Sequence, residues 1–323
     1  MPDNDRVFTS IVEAIGNTPL VELRRLSTEL GGRVLVKLEY LNPGFSKKDR
    51  IALEIIAEAE KSGELRSGQT VVELTSGNTG TGLAIVCRAK GYPCVAVMSQ
   101  GNSAERARMM RALGAEVVLV EQPPGSTPGQ VTGADLEMVE QRTQQIVAER
   151  QGFRVDQFVR EGNALAHARH TAEEIIRQTR GEFDAFCDFV GTGGSFGGCA
   201  ETMKRYRSNI GCYVVEPAGA AILAGAPITN PHHRIQGGGY CRGELPLINR
   251  EQIDGYLTVT DEEAIHWARR LAAEEGIFGG FSSGANVAAA AKLLAGPCEG
   301  RSIVTLICDS GLKYVSTDLW ANS

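Results

Sequence analysis

Two adjacent lysines, Lys47 and Lys48, stand in the polar run Asn42-Pro43-Gly44-Phe45-Ser46-Lys47-Lys48-Asp49-Arg50, just ahead of an apolar-periodic segment. A neutral lysine amine attacks carbonyl carbon and carries protons, whereas a hydrated ammonium does neither. Alone, the pair reads as two solvated surface charges. A chemical role needs a site that desolvates one of them. Three glycine-rich turns could contribute to such a site. Thr75-Ser76-Gly77-Asn78-Thr79-Gly80 is dense in N–H and hydroxyl donors and carries no cation. It suits a small carboxylate held by hydrogen bonds and a helix dipole, although the same residue types also make ordinary helix caps. Gly191-Thr192-Gly193-Gly194-Ser195-Phe196-Gly197-Gly198 opens a helical segment. It can turn backbone N–H groups and the Thr192 and Ser195 hydroxyls toward a phosphate, though tight helix–strand packing alone would also account for it. Cys308-Asp309-Ser310-Gly311 closes the last apolar run.

These turns need elements to position them. Strand-like runs at 34–38, 71–74, 94–98, 116–120, 185–190, 212–215 and 303–307 alternate with helical periodicity at 50–62, 79–90, 104–113, 135–150, 164–179, 195–205, 261–275 and 284–294. Such alternation predicts an α/β fold with mostly parallel sheets flanked by helices. Each glycine-rich turn then follows a strand, where open α/β sheets bind ligands. Loops are expected at 122–133 and 225–248. The chain has 323 residues, 42% apolar and 22% charged, and its 33 basic against 39 acidic side chains give a net charge of −6. That balance argues against nucleic acid as a partner. The apolar runs are too short to cross a bilayer, and the polar start lacks a signal pattern, so a cytoplasmic protein is expected. The eight cysteines form no C-x-x-C pair, and the five histidines show no ligand spacing. Reduced core thiols and no metal site are expected.

A lysine, a phosphate cradle, a carboxylate cradle and a polar group at a late strand end are together the parts of a pyridoxal-phosphate site. The 191–198 turn with Glu216 at the end of the next strand also fits an NAD-dependent oxidoreductase, but that reading leaves Lys48 and the 75–80 turn without a task.

The sequence resembles the cysteine synthase (O-acetylserine sulfhydrylase) and cystathionine β-synthase family of pyridoxal-phosphate enzymes, fold type II, tryptophan synthase β-like. The motifs are Ile15-Gly16-Asn17-Thr18-Pro19-Leu20, Asn42-Pro43, Ser46 to Arg50, Thr75 to Gly80, Gln157-Phe158, Gly191 to Gly194, Val215-Glu216-Pro217, His233 to Gly237, Ser282-Ser283-Gly284-Ala285 and Gly311 to Tyr314. The resemblance implies a small, mobile domain over residues 41–159 with the substrate-carboxylate loop, and a large cofactor-binding domain over 1–40 and 160–323. It implies that Lys48, the lysine directly before Asp-Arg, forms the Schiff base, and that Asn78 bonds the ring hydroxyl oxygen. Thr75, Ser76, Gly77, Thr79 and Gln157 would hold the substrate carboxylate, and Gly191, Thr192, Gly193, Gly194 and Ser195 the phosphate. A homodimer acting on a small amino acid and a small nucleophile is also implied.

The sequence departs from the family pattern at the late strand end. Asp309 falls where a Ser or Thr usually faces the pyridine nitrogen, with Cys308 in place of a proline. A carboxylate there would favour a protonated ring. Ser310, one residue on, is the alternative partner. The expected activity is β-replacement on O-acetylserine or O-phosphoserine by sulfide, giving L-cysteine through an aminoacrylate. The alternative within the family is a cysteine lyase releasing hydrogen sulfide. The loop 237–244, with Tyr240, Arg242 and Glu244, is expected at the active-site entrance.

Overall fold

A computed structural model describes residues 7–126, 131 and 133–321, so part of the expected 122–133 loop, 127–130 and 132, lies outside the described residues. In chain order the elements are β1 (Leu20–Glu22), α1 (Arg24–Leu30), β2 (Arg33–Leu38), α2 (Lys48–Ser62), β3 (Val71–Leu74), α3 (Asn78–Lys90), β4 (Cys94–Ser99), α4 (Ala104–Ala112), β5 (Glu116–Val120), α5 (Gly133–Arg150), β6 (Phe153–Arg154), α6 (Gly162–Ala166), α7 (Glu173–Thr179), β7 (Ala185–Phe189), α8 (Gly194–Tyr206), β8 (Gly211–Pro217), β9 (Gly255–Val259), α9 (Asp261–Glu275), α10 (Phe281–Leu294) and β10 (Ser302–Ile307).

The chain forms two sheets flanked by helices, as an α/β reading requires. The larger sheet has the order β1-β2-β10-β7-β8-β9 and is parallel except for the edge strand β1. The smaller has the order β5-β4-β3-β6 and is wholly parallel. All strands of the smaller sheet fall within residues 71–154, and all strands of the larger lie outside that span. The central strands β3, β4 and β7 are buried along their whole length, which is why their apolar runs are continuous rather than alternating.

Differences from the sequence expectation are local. The strands β1 and β6 and the helix α1 are too short for a periodic signal, and the edge strand β9 alternates exposed residues with half-buried or buried ones and so lacks a continuous apolar run. The expected helix 164–179 is split, because a π-helical turn at His167–Ala172 separates α6 from α7. Helix α10 begins at Phe281, three residues before the expected start, and so carries Ser282 and Ser283 in its first turn.

Two packing features fix the site-bearing helices. Glycines let helices meet backbone to backbone. A Cβ at Gly198 would lie 2.1 Å from the Ala164 carbonyl oxygen, and one at Gly284 would lie 1.9 Å from that of Ala264. A buried ion cluster anchors the helix that follows the lysines. Arg50 donates to Glu39 and to Glu174, and Lys37 also pairs with Glu174 at 2.7 Å, all nearly solvent-free. Charges out of water persist only when paired and hydrogen-bonded, and Thr18 completes the set by donating to Glu39 and accepting from Arg50.

Candidate active site

The segment carrying the lysine pair is stitched to the end of β10. Lys47 N–H donates to the Cys308 carbonyl, Ser310 N–H donates to the Phe45 carbonyl, and Ser46 faces Asp309 in an antiparallel bridge. Lys48 then opens α2, and its side chain lines a narrow cavity with Lys47, Asn78, Gly191, Thr192, Ser195, Ser282 and Cys308. The Lys48 amine is enclosed by protein while still partly open to that cavity. Burial, helped by the neighbouring Lys47 ammonium, pushes it down to about 8. A substantial free-amine fraction near neutral pH is what imine chemistry needs.

The second lysine has the opposite fate. Lys47 Nζ donates to both oxygens of Asp188, at 3.0 and 2.9 Å, and to Ser195 Oγ at 2.8 Å. Burial works against its charge, but the Asp188 carboxylate outweighs burial and holds the ammonium above the usual lysine range. Asp188 also accepts from Asn286 and Ser195, so the pair sits in a satisfied polar nest beneath the 191–195 turn. Lys47 is therefore no solvated surface charge, and Lys48 is the partner of lowered basicity.

The 191–195 turn matches a phosphate cradle. Gly193 caps α8 at φ +86°, a conformation that suits glycine, and the α8 N-terminus follows directly. Thr192 Oγ1 accepts from the buried Asn163 amide at 2.8 Å. The turn is backed by the 237–239 segment, since a Cβ at Gly191 would lie 2.6 Å from the Gly237 carbonyl oxygen. A Cβ at Gly237 itself would meet no protein atom within 4 Å, so glycine there leaves the cavity clear. Glu216 accepts from the Leu223 and Ala224 N–H groups, so its carboxylate tethers its own loop and does not point to a ribose.

The 75–79 loop is organised by its own hydroxyls. Thr75 Oγ1 accepts from Gly77 and Gly80 N–H at 2.9 Å, and Gly77 takes φ +130°. Thr79 Oγ1 donates to Gln157 at 2.6 Å, while Gln157 donates to the Leu74 carbonyl, which joins these two expected carboxylate holders. Asn78 is fixed on both sides of its amide, accepting from Lys313 at 2.6 Å and donating to Asp309 at 2.7 Å.

Asp309 is held at the edge of the site, with its Oδ1 buried and without a hydrogen-bond partner. Its Oδ2 accepts from Asn78 and from Tyr314, and the residue is not among those lining the narrow cavity. Ser310 is turned away too, accepting from Leu312 N–H as the cap of a short 3₁₀ turn. The cavity wall at this end is made by Ser282 and Cys308. The strand register explains this. Ser46 pairs with Asp309, which directs the carboxylate to Asn78 and Tyr314 and leaves Cys308 facing inward. Ser282 was missed because the sequence places the α10 start after it. Its motif, Ser282-Ser283-Gly284-Ala285, was the available signal.

A wider cavity of about 640 Å³ adjoins the narrow one and shares Gln236 and Gly237 with it. Ser76, Arg106 and Tyr240 contribute to its wall, so part of the 237–244 loop does border the entrance. Tyr240 packs edge-on to Phe158 at 5.9 Å and Arg242 lies over the same ring, while Glu244 is exposed.

The residues fit pyridoxal phosphate. An amine of lowered basicity, a helix N-terminus with a glycine-lined turn and an amide face one cavity, and no carboxylate lines it among the described residues.

Comparison with known proteins agrees. The sequence model of the family described as "Pyridoxal-phosphate dependent enzyme" matches residues 11–309. A cysteine synthase of Staphylococcus aureus is 39% identical over 314 residues, 97% of this chain and 97% of that protein. The crystal structure of O-acetylserine sulfhydrylase isoform 3 from Entamoeba histolytica superposes with a TM-score of 0.89 at 34% identity, covering 100% of this chain and 94% of the other. A hydrogen sulfide-producing enzyme from Fusobacterium nucleatum superposes with a TM-score of 0.85 at 37% identity, covering 96% and 99%.

Proposed function

The chain belongs to the pyridoxal-phosphate dependent enzymes, in the cysteine synthase family, with pyridoxal phosphate as cofactor, and from that premise we propose how its residues carry out the reaction. The reaction is β-replacement: O-acetyl-L-serine and hydrosulfide give L-cysteine and acetate. The Cβ–O bond breaks, acetate leaves with the bonding pair, and a Cβ–S bond forms. The cofactor supplies an electron sink that makes the Cα proton removable.

The residues divide this work. Lys48 would hold the cofactor at its aldehyde carbon, and its free amine would serve as general base toward the substrate Cα proton. The N–H groups of the 191–195 turn and the α8 N-terminus would hold the phosphoryl group, with the Lys47 ammonium behind Ser195. Asn78 is held by Lys313 and Asp309 at the cofactor face. Ser282, in the cavity wall beside Cys308, would offer the cofactor ring a neutral hydroxyl. The 75–79 loop with Gln157 receives the substrate carboxylate, and the segment 41–159 closes on it as a mobile domain.

The observation that supports this most is the placement of Lys48, with its basicity lowered, in one cavity with Asn78 and the 191–195 turn. Reconstituted protein should absorb in the visible and form cysteine from O-acetyl-L-serine and sulfide. Lys48→Ala should abolish both. Cysteine formation without Lys48 would refute the assignment.

The likeness to the Fusobacterium hydrogen sulfide-producing enzyme supports a second reading, in which cysteine is consumed and sulfide released. Sulfide evolution from cysteine alone, compared with the forward rate, decides between them. No helix among the described residues is long and apolar enough to cross a membrane. A cytoplasmic homodimer belongs to the proposal, and sedimentation equilibrium tests the dimer.

A further inference from the structure

The wider cavity holds far more than a sulfide ion needs. Its volume is about 640 Å³, against about 30 Å³ for a water-sized molecule. Arg106, next to Ser76 in its wall, is 2% exposed. Its Nη1 donates to the Ser76 carbonyl at 2.6 Å, and the guanidinium lies 5.0 Å from the Tyr314 ring centroid. Its Nε and Nη2 are buried and have no hydrogen-bond partner, and no carboxylate pairs with it among the described residues. Arg234, in the same wall, is already paired with Asp261, Glu262 and Asp318. A buried guanidinium with two free donor groups is an unusual arrangement unless a ligand completes it.

We propose that Arg106 marks an oxyanion subsite, so that the group entering or leaving at the substrate Cβ carries a carboxylate or phosphate oxygen that docks on its free N–H groups. The inference rests on the β-replacement reading and names the substrate class that this reading leaves open. Arginine favours such planar, bidentate partners. The anion comes either from the departing group of the donor or from the incoming nucleophile. With a thiol, the Cβ–O bond of O-acetyl-L-serine breaks, Cβ–S forms, acetate leaves with the bonding pair, and the thiol proton passes to solvent.

Arg106 also packs under the carboxylate loop, since a Cβ at Gly77 would lie 2.5 Å from its Cδ. The test must separate bracing from recognition. Two matched pairs do this: O-phospho-L-serine against O-acetyl-L-serine with sulfide, and mercaptoacetate against 2-mercaptoethanol with O-acetyl-L-serine. Wild-type kcat/KM should favour the anionic member of one pair at least tenfold. The donor pair identifies the leaving group as the source, and the thiol pair identifies the nucleophile. Arg106→Met should bring that ratio near one, and Arg106→Lys should retain part of it.

Ratios near one in wild type for both pairs would overturn the subsite. So would a ratio that survives Arg106→Met while KM for O-acetyl-L-serine rises, because that is bracing alone. The wild-type ratios stand even if Arg106→Met fails to fold. Wild-type enzyme that makes product without preference leaves β-replacement intact and removes only the subsite. Wild-type enzyme that makes no product with any pair refutes β-replacement, and the subsite with it.

Discussion

At the residue scale, the chemistry turns on two lysines of opposite electrostatic fate. Lys47 faces Asp188 and stays an ammonium, whereas Lys48 faces the cavity and loses basicity through burial and its charged neighbour. The cofactor-free protein should therefore react with pyridoxal at a rate that rises with pH through a midpoint near 8. Lys47→Met should move that midpoint upward. It deletes the neighbouring cation and leaves the Asp188 carboxylate to stabilise a charged Lys48. A midpoint that stays put or falls, measured by borohydride trapping across pH, would show that the pair is not coupled. The sequence made Lys48 legible, because it directly precedes Asp49-Arg50. It did not make the separate role of Lys47 legible, since Asp188 lies 141 residues away and only the bonding of the 45–47 segment to the end of β10, the sheet neighbour of β7, brings them together. The direction of Asp309 was hidden for the same reason, since it depends on a bridge to Ser46.

At the element scale, the site is a meeting of helix starts. Helices α2, α3, α8 and α10 begin with Lys48, Asn78, Gly194 and Phe281, and each brings its first turn to the cavity or its edge. The strands β2, β3 and β7, which precede α2, α3 and α8, were legible because buried parallel strands write continuous apolar runs. The start of α10 was not, because Gly280 and Phe281 carry no strong cap signal and the helix cap makes no side-chain hydrogen bond. The seat of α10 depends on Gly284, whose missing Cβ admits the Ala264 carbonyl of α9. Gly284→Ala should force the two helices apart, at a cost of about 1–3 kcal/mol by urea denaturation. Because Ser282 rides on the same turn, cofactor affinity should weaken in parallel. Unchanged stability would show that the contact relaxes without moving α10.

At the scale of the whole molecule, the Lys37–Glu39–Arg50–Glu174 cluster joins β2 of the larger sheet to the helix that begins with Lys48. Arg50→Met would strand the buried Glu39 carboxylate and leave Glu174 to Lys37 alone, and should cost about 3–5 kcal/mol, read as a drop in thermal midpoint. The cluster also sets a pH dependence. Burial alone would raise Glu39 and Glu174, but Arg50 outweighs it and holds both carboxylates below the usual range. Their contribution to stability is thus present above the ordinary carboxylate pKa and lost as pH falls through the depressed values. Acidification should destabilise wild type more steeply than Arg50→Met. The two-sheet plan was legible from strand–helix alternation. This cluster was not, because its members are single charges spread from residue 37 to residue 174 with no local pattern.

The central claim is that the cofactor is joined to one lysine of an adjacent pair, and peptide mass mapping after borohydride reduction of the pyridoxal-phosphate-loaded protein tests it most directly. The account predicts a single phosphopyridoxyl adduct on Lys48 with Lys47 unmodified. An adduct on Lys47, or none on either residue, would contradict it.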